Sequence, residues 1–288
     1  MNLKSYIFKG TFLKILGIIL LTLIIDNLFI FSINSPPAWD QGYHLSNVFK
    51  MSNIISSNGI NFFNKVDQLL DVTETYRGPL TYFLSALFLN IFRNSYEYAY
   101  LSNQIFNIIC IFSIINLGKF FKNDSIGIWA AFIFSFSTLI VNHRSDYLID
   151  LSLTAFSSLT LLFFTKWSFE KKNSIKYAVL SGISLGLIFL TKPTGIILFF
   201  LPFMTILIKK LKIKENQFFE ISKIFFFFIS FLLIIFPWFS KHWLTIITST
   251  INAWNWGINY QEGYSSFSLE SWLFYLKSLP KVFGIINF

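Results

Sequence analysis

Pro79-Leu80-Thr81-Tyr82-Phe83-Leu84-Ser85-Ala86-Leu87-Phe88-Leu89-Asn90-Ile91-Phe92 is the stretch on which the architecture turns. Wound as a helix rising 1.5 Å per residue, it reaches only about 21 Å. A bilayer core is about 30 Å thick and takes about 20 apolar residues per crossing. The stretch therefore reads as a helix that lies on the membrane surface or re-enters it, and the chain on either side of it is arranged accordingly.

Longer apolar runs predict crossings at about 12–33, 98–118, 125–142, 147–168, 175–191, 194–210 and 219–238, with another starting near Ser271 and running to 288. With residues 79–92 left out of the count, four basic clusters share one side. They are Lys4, Lys9 and Lys14; Lys119 and Lys122; Lys166, Lys171, Lys172 and Lys176; and Lys209, Lys210, Lys212 and Lys214, together 13 of the 23 basic residues. By the positive-inside rule that side is cytoplasmic and the N-terminus lies there. Counting 79–92 as a crossing destroys the pattern.

Composition agrees with a bilayer as solvent. Hydrophobic residues make up 54% of the 288, charged ones only 13%, and the mean hydropathy is +0.60, which is too little polar surface for a water-soluble globule of this size. The formal charge of +9 is spread in short clusters between apolar runs, so topology explains it better than a nucleic-acid stripe does. Cys110 is the single cysteine, which excludes an internal disulfide. Its place in an apolar run suits either lipid or core. The run after Lys14 is long enough to span and has no small-residue cleavage site after it, so it reads as a retained helix and not a signal peptide. Phe225 to Phe228 reads as lipid-facing bulk.

The expected outer side receives a first loop of about 34–96, the junctions 142–150 and 191–194, and a second loop from Phe239 to about Glu270. Leu45, Val48, Phe49, Met51 and Ile55 recur at helical spacing in the first loop, as in a helix lying on a membrane. Most residues capable of chemistry fall on this side. Asp40 follows Pro36-Pro37-Ala38-Trp39 just past the first helix, where stiffened backbone can hold a carboxylate as a general base; an interfacial turn with a solvated Asp is the plain alternative. Arg77 precedes the 79–92 helix, suited to a phosphate or simply to lipid headgroups. Arg144, Asp146 and Asp150 enter the next crossing, with the two carboxylates four apart on one predicted helix face. A carboxylate entering a membrane helix is costly unless functional or paired, and an ion pair with Arg144 or Lys192 is the structural alternative for Asp150. Lys192 sits in the Thr191-Lys192-Pro193 break and either snorkels or faces a phosphate. Lys241 and His242 follow the Pro237-Trp238 belt. Asp26, in the first helix, must face protein or water. The histidines His44, His143 and His242 all lie on this side, so a divalent metal is conceivable, but no metal-ligand spacing supports it.

Taken in order, these segments resemble the GT-C glycosyltransferases of the protein O-mannosyltransferase and lipid A aminoarabinose transferase superfamily, glycosyltransferase family 39-like. Asp40 looks like that family's acidic residue after the first helix, although Gln41 stands where a Glu is usual. Tyr76-Arg77-Gly78-Pro79-Leu80 is similar to its motif opening a juxtamembrane helix, with Arg77 for a His or Lys. The segment Arg144 to Asp150 with Leu151, Leu153 and Phe156, the segment Gly186 to Lys192 with Pro193 replacing Gly, and the pair Pro237-Trp238 complete the likeness.

The resemblance implies an all-α, polytopic transmembrane bundle of GT-C type, one catalytic module over 1–288, with juxtamembrane helices in the first outer loop. It implies transfer of a sugar from a polyprenyl-phosphate donor to a hydroxyl of a glycan, lipid or protein at the periplasmic or lumenal face of the inner (plasma) membrane. Asp40 would be the catalytic base; Arg77, Lys192, Lys241, His242, Arg144 and Asp150 would bind substrate and phosphate. No cofactor and no nucleic acid is expected. Family members continue for several more helices, so a truncated or split product is expected. The rivals are a flippase for lipid-linked sugars, which would need a polar path to both faces, and an inactive scaffold.

Overall fold

The computed structural model describes residues 3–32, 37–73, 77–92, 95–170, 172, 174–211, 217–259 and 268–284. Pro36, Tyr76, Lys171, Lys212 and Lys214 lie outside the described residues, as do the side chains of Lys4 and Lys9. Among the described residues there is no strand. The helices are α1 (Leu3–Ser32), α2 (Trp39–Ser56), α3 (Phe62–Asp71), α4 (Leu80–Phe92), α5 (Leu101–Phe121, entered through a 3-10 turn at Tyr96–Tyr100), α6 (Asp124–Phe136), α7 (Thr138–Ser145), α8 (Asp150–Phe169), α9 (Ser174–Phe189), α10 (Phe200–Leu211, entered through a 3-10 segment at Pro193–Phe199), α11 (Gln217–Asn259) and α12 (Leu269–Phe283).

Among the described residues four stretches are long and apolar enough to cross a bilayer alone: Gly10–Ser32, Tyr96–Phe121, Pro193–Leu211 and Phe218–Asn252. The pair α6 and α7 would be a fifth, bent by 61° at Ser137, where the expected single crossing 125–142 is broken. The backbone at Ser137 is extended, and its hydroxyl caps the Phe134 carbonyl. The stretches expected at 147–168 and 175–191 are helical but do not meet that measure. The first, α8, is diluted by Ser and Thr hydroxyls that return to its own carbonyls; the second, α9, is 16 residues long. The 13-residue α4 is too short to span, at about 20 Å.

Two expected boundaries are corrected. The second outer loop does not begin at Phe239, because α11 runs unbroken through Pro237 to Asn259. Pro237 removes one intrahelical donor, but buried Ile235 before it and buried Trp238 and Ile246 after it hold the helix against the bundle. Asp146 and Asp150 do not share a helix face either: α7 ends at Ser145, Asp146 is extended, and α8 starts at Asp150.

Glycines let the helices approach closely. A Cβ on Gly182 would strike Ser230 and the Phe227 carbonyl of α11, and one on Gly186 would strike Ile234, so this small-xxx-small stripe seats α9 along α11. Ser230 Oγ donates to the Val179 carbonyl across that seam at 3.1 Å. Phe225, Phe226 and Phe228 are exposed as a lipid face requires, but Phe227 is buried, stacked on Trp167 and Phe203 in the main core. Cys110 lies in that core as well.

Described lysines of three basic clusters gather at one end of the bundle. Lys119 pairs with Asp124 at the α5–α6 junction, Lys166 lies over Tyr177, and Lys209 reaches the Ser168 carbonyl. The opposite end carries α2, α3 and α4. There α2 and α4 run side by side in the same direction, with His44 against Tyr82 and Ser52 against Asn90.

Candidate functional site

Two breaks in the helical path create the site. The Gly78 N–H donates to the Thr191 carbonyl at 3.0 Å and the Leu80 N–H to the Leu190 carbonyl at 3.1 Å. Both donors would otherwise be unpartnered at the start of α4, and both acceptors sit where Pro193 has ended the preceding helix. No side chain fits at position 78, because a Cβ would overlap the Leu190 carbonyl. The docking places Arg77 beside Lys192, two cations 115 positions apart in the sequence.

Lys192 Nζ is 3.9 Å from Asp150 Oδ1 in the first turn of α8, where the helix dipole favours a carboxylate. Their side chains are 33% and 45% exposed, so the pair stays open to a ligand. The α8 start is fixed to α4 by Thr81 and Ser152, whose hydroxyls are 2.7 Å apart. The Arg77 guanidinium lies 5.1 Å from the centre of the Tyr43 ring. Asp40 is exposed in the first turn of α2.

One turn beyond Asp40, on the same face of α2, His44 is buried with Nδ1 2.7 Å from the Tyr82 hydroxyl and its ring stacked on the tyrosine. Burial pushes its pKa from 6.5 down to about 4, helped by the Arg77 charge and, less, by Lys192, and opposed by Asp40 and Asp150. His44 is thus a neutral post around which Asp40, Arg77, Asp150 and Lys192 are all close enough to be felt. Sequence reasoning placed His44 only in a conceivable metal set and passed over Tyr43 and Tyr82. The available signal was the Asp40–His44 spacing of four.

The remaining expected site residues are elsewhere. Arg144 is fully buried and does not join the phosphate set: its Nε donates to Asp26 Oδ1 at 2.8 Å and its Nη1 to the Ser135 carbonyl. That pair gives Asp26 its partner and ties α1 to α7. Asn103 adds hydrogen bonds to the Arg144 and Asp146 carbonyls at 3.2 and 3.0 Å. Lys241 is 3.0 Å from Asp71 and also pairs with Asp67, while His242 contacts the Leu70 carbonyl at 2.9 Å. Both clamp α11 onto α3. Gln41 donates to Asp146 at 3.2 Å and accepts from the Tyr100 hydroxyl at 3.0 Å. A glutamate there could not donate and would repel Asp146, which gives a physical reason for the departure at this position. Among the described residues no three His, Cys, Asp or Glu side chains are grouped to hold a metal.

What the arrangement offers chemically is two accessible carboxylates, Asp40 and Asp150, near two cations, at the end of the bundle opposite Lys119, Lys166 and Lys209. Comparison with known proteins gives a family model described as "Dolichyl-phosphate-mannose-protein mannosyltransferase", which matches residues 76–240. The fold is that of the crystal structure of ArnT from Cupriavidus metallidurans in the apo state, with a TM-score of 0.60 at 14% sequence identity. That superposition covers 93% of this chain and 48% of the other, so the chain spans about half the length of the protein it matches. Among curated proteins none matches the sequence.

Proposed function

Because this chain belongs to the dolichyl-phosphate-mannose-protein mannosyltransferase family, we propose that it transfers a sugar from a polyprenyl-phosphate donor to an acceptor hydroxyl at the outer face of the membrane. The observation that carries the reading is the convergence of Asp40, Arg77, Asp150 and Lys192 around His44. In the proposed step the Asp40 carboxylate takes the acceptor O–H proton and the oxygen attacks the anomeric carbon. The bond from that carbon to the phosphate oxygen breaks, and polyprenyl phosphate leaves with the electron pair. Arg77 and Lys192 stabilise the charge gathering on the phosphate, the guanidinium as a fork and the ammonium as a point charge. Asp150 keeps Lys192 oriented.

Lys241, His242 and Arg144 are outside this proposed set, since each is held by protein partners away from it. In this reading the positive-inside rule makes the lysine-rich end cytoplasmic, and the Asp40 end faces outward. The test is to incubate the purified chain with a panel of short-chain polyprenyl-phosphate sugars and a membrane extract as acceptor source. Release of polyprenyl phosphate with sugar appearing on acceptor is expected. Donor left intact across the panel would sink the reading.

A further inference from the structure

On the α2–α4 platform a second feature lies apart from the charged cluster. A groove of about 640 Å³ is lined by Phe49, Ser52, Asn53, Ser56, Asn58, Leu89, Asn90, Ser95 and Tyr96. Its volume is that of an ordinary small-ligand site. Its chemistry is unlike the Asp40 site: amides, hydroxyls and two aromatic rings, with no charged side chain among the described lining residues.

One polar group of the groove is held firmly in place. Asn90 is fixed by its Nδ2, which donates to the Ser52 hydroxyl at 2.9 Å and to the carbonyls of Ser52 and Ala86 at 3.1 Å each. All its contacts run through nitrogen, so Oδ1 remains as an acceptor. Asn53, Asn58 and Ser95 also line the groove and, among the described residues, their side chains make no hydrogen bond within the protein. Four neutral side chains with unused hydrogen-bonding capacity thus meet beside the exposed Phe49 and the half-buried Tyr96.

We infer that this groove holds a neutral, polyhydroxylated stretch of the acceptor, that is, an oligosaccharide. Amides both donate and accept, as sugar hydroxyls do, and aromatic faces suit the C–H faces of sugar rings. An anion would meet no counter-charge among the described lining residues. Position fits too: Ser52 is twelve residues beyond Asp40 along α2, about 18 Å at 1.5 Å per residue. A few sugar rings bridge that span, leaving the terminal hydroxyl at Asp40. The inference rests on the glycosyl-transfer reading of the Asp40 cluster, and its test is a binding measurement that involves no transfer.

The full chain, in a detergent without sugar headgroups, is titrated with neutral mannotetraose and maltotetraose and with anionic tetragalacturonate, followed by saturation-transfer NMR. At least one neutral tetrasaccharide binds, more tightly than the anion, and Asp40→Asn binds it as the parent does. Phe49→Ala with Asn53→Ala weakens binding by roughly tenfold or more. To separate binding from folding, Asn53→Cys is capped after purification with a bulky thiol reagent; buried Cys110 is protected, and binding falls on capping. The inference is overturned if neither neutral sugar binds, if capping changes nothing, or if the anion binds more tightly. Loss of groove binding with transfer intact would leave the Asp40 reading standing. Groove binding with transfer unaffected by Asp40→Asn would do the reverse.

Discussion

Asp26–Arg144 and Asp150–Lys192 are both acid–base pairs of one bundle, yet they serve different purposes. The first has side chains 3% and 0% exposed with an N–O distance of 2.8 Å, and the second 45% and 33% with 3.9 Å. Taking two ions out of water costs several kcal/mol each, which only close geometry and additional hydrogen bonds offset, so the closed pair is committed to joining α1 and α7. An open, long pair contributes little to stability and keeps its charges available to a ligand. Exposure, not residue type, separates the structural pair from the candidate catalytic one.

The largest effect should come from breaking the closed pair. Arg144→Ala strands the Asp26 carboxylate inside the bundle and should cost about 3–5 kcal/mol, seen as a collapse of purified yield and thermal stability. Replacing both partners, Asp26→Leu with Arg144→Met, should return much of that loss. Equal instability in the single and double variants would show that packing, not the stranded charge, dominates.

Gly78→Val forces a side chain against the Leu190 carbonyl. It should cost about 1–3 kcal/mol as overpacking does and separate Arg77 from Lys192. Donor binding should suffer more than the melting temperature shows, and a variant that melts low but binds donor normally would break the link between this docking and the site.

Lys192→Ala is the sharpest contrast to Arg144→Ala. Its stability change should stay within about 1 kcal/mol, while affinity for a polyprenyl-phosphate sugar drops roughly tenfold or more. The reverse pattern would make the open pair structural.

The smallest effect is the titration of His44. Its folded pKa is depressed to about 4 from 6.5, so the unfolded chain binds the extra proton between those values and stability rises with pH across that window. His44 therefore contributes fully above about pH 6.5, and its contribution is lost as pH falls toward 4. Melting temperatures of the parent and His44→Gln should diverge in slope there; parallel curves would remove His44 from the account.

Much of this could be read in the sequence because membrane physics is local. Apolar run length and lysine placement gave the bundle and the short α4, and the Pro193 break gave the turn that holds Lys192. Lys119, Lys166 and Lys209, from three of the clusters, lie at one end of the bundle. The failures are long-range. Arg144 stands near Asp146 and Asp150 in sequence, but its partner is 118 positions upstream in α1, where spacing carries no signal. Lys241 and His242 look like members of an outer loop until α3 is seen packed against them. Pro237 suggests a helix end, but the contacts of Trp238 and Ile246 carry α11 through it.

The central claim is that Asp40 is the base and that Arg77 and Lys192 hold the donor. Its most direct test is transfer by purified Asp40→Asn at saturating polyprenyl-phosphate sugar, with donor affinity measured on the same sample. The amide matches the carboxylate in size but not in basicity, so transfer should fall by about 10²–10⁴-fold while donor affinity stays at the parent value. Transfer at the parental rate by Asp40→Asn, with donor still bound, would contradict the assignment.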